Sequence, residues 1–223
     1  MCCSPLRSTL ALALMAALGL HGELAAGEDQ PRDSSLFVLA AASLTDVLPQ
    51  VARLWQEAGG GPVRFSFDAT SRLAPQTLQG VGADLFFSAD TRWMDWVEER
   101  AGIQEDTRVD LLGNEMVTVV PEGASVPVSG PQDLSEPGIQ HIALAGENVP
   151  AGRYGMAALQ ATGVWGLVEA RVVRAGTVRG ALEWVARGEA DAGVVYRTDA
   201  VVEDRVKVAF AFPGDAHPPI RYP

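Results

Sequence analysis

Four short stretches set small or hydroxyl-bearing residues where an apolar run gives way to an amphipathic one. They are Ala41-Ala42-Ser43-Leu44-Thr45, Ala69-Thr70-Ser71, Val149-Pro150-Ala151-Gly152 and Gly176-Thr177-Val178-Arg179. A helix start carries backbone N–H groups without intrahelical acceptors at the positive end of its dipole, so each junction is a ready anion site. Ser43 and Thr70 add hydroxyls, which at such positions serve either as N-caps or as donors to a ligand. Pro150 fixes φ at a helix start and needs no N–H, leaving the amides of Ala151 and Gly152 pointing forward. Thr177 reads as the cap of a further helix opening at Val178, and Arg179 as a surface residue of its first turn rather than an anion clamp. Tyr196 closes the apolar run Ala192-Gly193-Val194-Val195. A phenol there stands where open α/β sheets take ligands, or else packs at the sheet edge.

The catalytic inventory is thin by comparison. His141 opens an apolar run and His217 sits in a proline-flanked stretch, neither beside a nucleophile or a carboxylate in sequence. There is no G-x-S-x-G elbow, no phosphate-loop lysine motif, no G-x-G-x-x-G and no metal-ligand spacing of His, Asp and Glu. Holding an oxyanion is therefore favoured over transforming one, and no catalytic residue, cofactor or directly bound metal is expected. The catalytic alternative is a secreted α/β serine hydrolase that pairs Ser43 or Ser71 with His141 or His217.

The chain of 223 residues carries 17 Lys and Arg against 28 Asp and Glu, a formal net charge of −11. That balance excludes nucleic acid and anionic membrane surfaces, which want a basic footprint. A site made of neutral dipoles can still hold a small anion. Residues 1–27 read as a signal peptide: Arg7, then the apolar run Leu10–Leu20, then Ala25-Ala26-Gly27 for cleavage. Cys2 and Cys3 precede that apolar run, so the mature chain has no disulfide and no lipoprotein cysteine. A free, exported, monomeric protein is expected.

Apolar runs then alternate with amphipathic ones, which specifies parallel α/β sheets flanked by helices. Strands are expected at 36–40, 63–67, 84–88, 116–120, 139–145, 170–173 and 192–196. Helices are expected at 44–58, 71–80 and 91–100, from 151, and at 178–187. In the first helix Leu44, Val47, Leu48, Val51 and Leu54 fall near helical spacing. Tryptophans 55, 93, 96, 165 and 184 are expected at helix–sheet contacts. The pattern restarts after Val120, which suggests two lobes joined by two crossings, at 114–121 and roughly 212–222. Residues 28–113 with about 213–223 form the first lobe, and 114–212 the second.

Several segments, in this order and spacing, closely resemble the periplasmic molybdate-binding proteins of ABC importers, type II periplasmic solute-binding proteins. They are Ala40–Thr45, Ala83–Asp90, Trp93-Met94-Asp95, Leu111–Asn114, Val149–Tyr154, Val178–Leu182 and Gly193–Tyr196. The resemblance spans Leu36 to Pro223. It implies a two-lobed binding protein that closes on molybdate or tungstate and delivers it to the permease and ATPase subunits of an importer. It implies further that hydroxyls and main-chain amides hold the ion, matching Ser43, Thr70, Ala151, Val178 and Tyr196; Thr70 stands where the family usually has serine. Sulfate or another tetrahedral oxyanion is the alternative ligand. Family members continue past the pair matching Tyr222-Pro223 with another strand and a terminal helical segment. On that comparison the first lobe is C-terminally shortened, with an unpaired strand edge, an uncovered apolar face and lowered stability.

Overall fold

Residues 35–223 are described by a computed structural model; the expected signal peptide with Cys2 and Cys3 lies outside them. The first strand, β1 (Leu36–Ala41), is flanked on both edges by parallel neighbours, β2 (Val63–Asp68) and β3 (Leu85–Phe87). Leu36 pairs with Val63 and Val38 with Leu85. A strand covered on both faces reads as a continuous apolar run, and LFVLAA is one.

The helix expected from Leu44 starts later. Ala42–Leu44 form a single 3₁₀ turn, and α1 runs Val47–Glu57. Thr45 Oγ1 donates back to the Ala42 carbonyl at 2.7 Å, which tightens the turn and delays the α-helix. Neither Ser43 nor Asp46 caps it. Only Leu48 of the expected apolar stripe in α1 is buried; Val47, Val51 and Leu54 are exposed, as is half of Trp55. No described residue covers that face. β3 likewise pairs with β1 alone among the described strands.

Helix α2 (Thr70–Leu78) starts at Thr70 itself, and α3 (Thr91–Arg100) is capped by the Asp90 carboxylate, which accepts from the Trp93 amide at 2.9 Å. Two short antiparallel strands, β4 (Leu112–Asn114) and β10 (Ile220–Tyr222), form a separate ribbon, and β4 leads at once into β5 (Met116–Pro121). The largest sheet has the order β7-β6-β8-β5-β9, with β6 (Ile142–Ala145), β7 (Val172–Ala175), β8 (Ala192–Tyr196) and β9 (Val206–Ala211). β6 runs parallel to β7 and β8, while β5 is antiparallel to both β8 and β9, so this sheet is mixed.

Two strands in it start later than periodicity alone predicts. The amides of Gln140 and His141 donate to the Asp191 carboxylate at 2.7 and 2.9 Å, so side-chain oxygen replaces a strand partner there. Arg171 reaches back to the carbonyls of Glu136 and Ile139, which holds it in a turn ahead of β7. Pro131–Ser135 forms a 3₁₀ turn fastened by the Asp133 carboxylate, which accepts from the amides of Ser129 and Gly130. Helices α4 (Pro150–Ala161), α5 (Trp165–Val168), α6 (Val178–Ala186) and α7 (Arg197–Val201) complete the chain. Val117, Val119, Leu144, Leu159, Val185 and Val194 pack the interior of the large sheet and its helices with no exposed surface.

Candidate ligand-binding site

Ser43, Thr70, Ala151, Val178 and Tyr196 all line one small cleft, together with Ala41, Ala42, Ala69, Ala89, Val149, Pro150 and Thr177. The five come from two sheets. β1 delivers Ser43 on the 3₁₀ turn that follows it, and β2 delivers Thr70 as the first residue of α2. β6 leads to α4, where Pro150 and Ala151 open the helix, and β7 leads to α6, opened by Val178. β8 ends on Tyr196.

Each helix start meets the cleft with its free amides unobstructed. The N-cap residues of α2 and α4, Ala69 and Val149, make no side-chain cap. At α6 the Thr177 hydroxyl accepts from the Gly180 amide at 3.0 Å, which leaves the Val178 amide outside the cap. The first amides of a helix have no intrahelical acceptor, so these starts present N–H donors to whatever occupies the cleft. Gly152 permits the tight approach behind them: a Cβ there would collide with the carbonyl oxygens of Ala145 and Gly146.

The hydroxyls are set in the same sense. Thr70 is buried, and its Oγ1 accepts from the Ala89 amide at 3.1 Å, leaving its proton for the cleft. Ser43 Oγ lies 2.9 Å from the Tyr222 hydroxyl. The Tyr196 hydroxyl is fully buried and has no protein partner. Burial, with the phenol of Tyr222 beside it, pushes the Tyr196 pKa well above its usual value, so it stays a protonated donor.

No lining residue carries a carboxylate, an imidazole or an ammonium. Arg179, next to Val178, is engaged by other groups: its Nε donates to Asp199 at 2.6 Å, and its Nη2 pairs with Asp46 at 2.5 Å and donates to the Ser43 carbonyl at 3.4 Å. It is thus neither a clamp nor a free surface residue. The cleft has a volume of about 10 Å³, the scale that accommodates one small group.

The pairing of Ser43 with His217 that a hydrolase would need is not formed. Ser43 meets a phenol, and His217 Nδ1 donates to the Pro218 carbonyl at 2.9 Å.

Residues 36–223 match the model of the family described as bacterial extracellular solute-binding protein. This chain belongs to that family. Its relatives include the molybdate-binding protein ModA of Escherichia coli, 40% identical over 205 residues, which span 89% of this chain and 79% of the relative. ModA of Haemophilus influenzae is 38% identical, over 83% of this chain and 75% of its own. Among solved structures, the periplasmic molybdate-binding protein of Azotobacter vinelandii superposes with a TM-score of 0.75 at 22% identity, covering 84% of this chain and 83% of that one. The fold is that of a type II periplasmic binding protein. The family binds and does not catalyse.

Two sets of residues at the site were given no role in the sequence reading, although most of them fall inside its motifs. Tyr222 and Asn114 touch Ser43 directly or through one another, and Asp90, Trp93, Asn148 and Arg153 bridge the cleft's rim. The Tyr222-Pro223 pair stands in the sequence reading as part of a crossing and as a match to the family, without a role at the site. Nothing local in the sequence marks its hydroxyl as a neighbour of Ser43.

Proposed function

We propose that this solute-binding protein captures molybdate, and tungstate with it, outside the cytoplasm and hands it to the permease and ATPase subunits of an ABC importer. The observation that carries the reading is the donor-only cleft: five residues, from helix starts and hydroxyls on two sheets, around one small space with no charged side chain in its lining. Molybdate is a tetrahedral dianion without a proton at neutral pH, so it asks only for donors. Hydrogen phosphate, by contrast, brings a donor of its own and needs an acceptor.

Ser43, Thr70 and Tyr196 supply hydroxyls and Ala151 and Val178 supply amides in this reading. Each charge-assisted hydrogen bond contributes about 1.5–3 kcal/mol. Five of them offset the dehydration of the ion and still leave the roughly 8–12 kcal/mol of a micromolar-to-nanomolar site. Sulfate has the same charge and shape but is smaller, and fixed donors that suit molybdate lie too far from its oxygens, because hydrogen bonds weaken steeply with distance. The lobes are residues up to 113 with about 213–223, and 114–212. Ser43 and Thr70 belong to the first and the other three to the second, so the full set of contacts exists only when the lobes are closed.

The names of the relatives support molybdate as the ion. Calorimetric titration with molybdate, tungstate, sulfate and phosphate tests it. Tight binding of the first two and weak or no binding of the others is the expected result. Heat from sulfate with none from molybdate overturns the assignment.

A further inference from the structure

The proton of Ser43 has a direction, and residues outside the cleft set it. Asn114 Oδ1 accepts from the Glu115 amide at 3.0 Å, which turns the Asn114 Nδ2 donor towards Thr198 Oγ1 at 2.8 Å and the Tyr222 hydroxyl at 3.3 Å. The Tyr222 oxygen therefore receives an N–H. Its own single proton then needs an acceptor, and the structure places Ser43 Oγ against it at 2.9 Å. Tyr222 is itself buried and stacked edge-on against Tyr196, with ring centroids 5.9 Å apart, so the phenol has one place to stand. Burial also holds its pKa above the usual phenol value, which keeps the proton on. With a lone pair of Ser43 Oγ engaged from behind, the serine's O–H is the group left facing the cleft. Thr70 is treated alike by the Ala89 amide.

We propose that Tyr222, oriented by Asn114, is a positioning residue that fixes Ser43 as a hydrogen-bond donor to the ligand and so makes the site reject oxyanions that carry a proton. The inference rests on the oxyanion reading of the cleft. It assigns the discrimination between proton-free and protonated dianions to a side chain that does not line the cleft. Without the Tyr222 hydroxyl, Ser43 Oγ is free to rotate and to accept from a P–OH group.

The test uses the whole chain at pH 8, where phosphate and molybdate are both dianions and differ by one proton. Wild type, Tyr222→Phe and Asn114→Ala are compared by competition titration against molybdate, with sulfate and phosphate taken to concentrations high enough to register weak binding. In Tyr222→Phe the phosphate-to-molybdate ratio of association constants is expected to rise by at least about tenfold, one charge-assisted bond's worth of discrimination. The sulfate-to-molybdate ratio is expected to stay within about twofold, since neither ion has a proton. A general loosening of the cleft would shift both ratios and overturn the proposal, as would two unchanged ratios. Asn114→Ala, at the half-buried end of β4, leaves the phenol in place. It is expected to move the phosphate ratio in the same direction, and carries the test alone if Tyr222→Phe does not fold. Failure of the wild type to bind molybdate would instead remove the functional reading on which the inference stands.

Discussion

Tyr196, a ligand donor on the proposed reading, is costly to the free protein. Its hydroxyl is fully buried with no partner, and an unsatisfied buried hydroxyl costs on the order of 1–3 kcal/mol. Tyr196→Phe is expected to leave the free protein as stable as the wild type or up to about 1 kcal/mol more so, while weakening molybdate binding by about ten- to a hundredfold. Urea unfolding of the free protein and calorimetry of the complex measure the two effects separately; a variant that loses stability and keeps affinity contradicts the assignment. Asp199 carries a second cost of burial. Desolvation pushes its pKa up to about 6, against the opposing pull of Arg179, and one carboxylate oxygen has no partner. A carboxyl that binds its proton more tightly when folded stabilises the fold fully below the unfolded pKa near 4, and that contribution is lost as pH rises through about 6. Asp199→Asn keeps an acceptor for Arg179 and removes the titration. Its stability relative to wild type is therefore expected to improve between pH 4 and 7, by on the order of 2–3 kcal/mol. Denaturation curves at three pH values check this, and a difference that is flat or falls with pH excludes it.

At the scale of elements, the start of α4 is where backbone geometry matters most. A Cβ on Gly152 meets the carbonyls that close β6, and these are main-chain atoms that cannot swing aside. Gly152→Ala is expected to destabilise by about 2–3 kcal/mol and to displace the Ala151 amide, so that affinity falls with stability. Gly123→Ala, where a Cβ meets nothing within 4 Å, is the control and should stay within about 0.5 kcal/mol. Chemical denaturation of both variants decides; equal effects would mean that the close approach is not tight. Elements whose signal is local were legible in the sequence. α3 and β8 run over the predicted residues because apolar spacing, the Asp90 cap and the continuous run before Tyr196 all sit within the segment itself. What could not be read depends on distant partners. β6 starts late because Asp191 takes the amides of Gln140 and His141, and α1 starts late within a turn that Thr45 closes. The same division holds at the site. Junction chemistry pointed to Ser43, Thr70, Ala151 and Val178 from four short stretches, whereas the Ser43–Tyr222 contact spans 179 positions and leaves no periodic trace.

For the whole molecule, the proposed closure of the cleft would rely on contacts between its two sides. Around the rim, elements of the three-stranded sheet touch elements of the large one. Arg153 Nη1 on α4 pairs with Asp90 Oδ2 at 2.7 Å, the Trp93 indole N–H donates to the Asn148 carbonyl at 3.0 Å, and Arg179 pairs with Asp46 at 2.5 Å. Asp90 is the decisive member. Its side chain is 2% exposed and that of Arg153 30%, and burial raises the Asp90 pKa while Arg153 and the Trp93 amide pull it back. On the proposed two-lobe reading, separating the lobes would return the carboxylate to water; in the structure it is buried, and Arg153 is the charge that compensates it. Removing the arginine therefore penalises the closed state and spares the open one, since an uncompensated buried charge is costly. A ligand that binds by selecting the closed state must then overcome that penalty. Arg153→Ala is accordingly expected to speed molybdate dissociation by about tenfold or more and to leave association within about twofold, because encounter occurs in the open form. Arg153 is chosen over Asp90 because Asp90 also caps α3 and its loss would unsettle the helix. Stopped-flow tryptophan fluorescence reads both rates, since the proposed closure would form the Trp93–Asn148 hydrogen bond across the rim. An unchanged dissociation rate would show that the pair only decorates the rim; a slowed association with unchanged dissociation would place it on the route into the cleft instead.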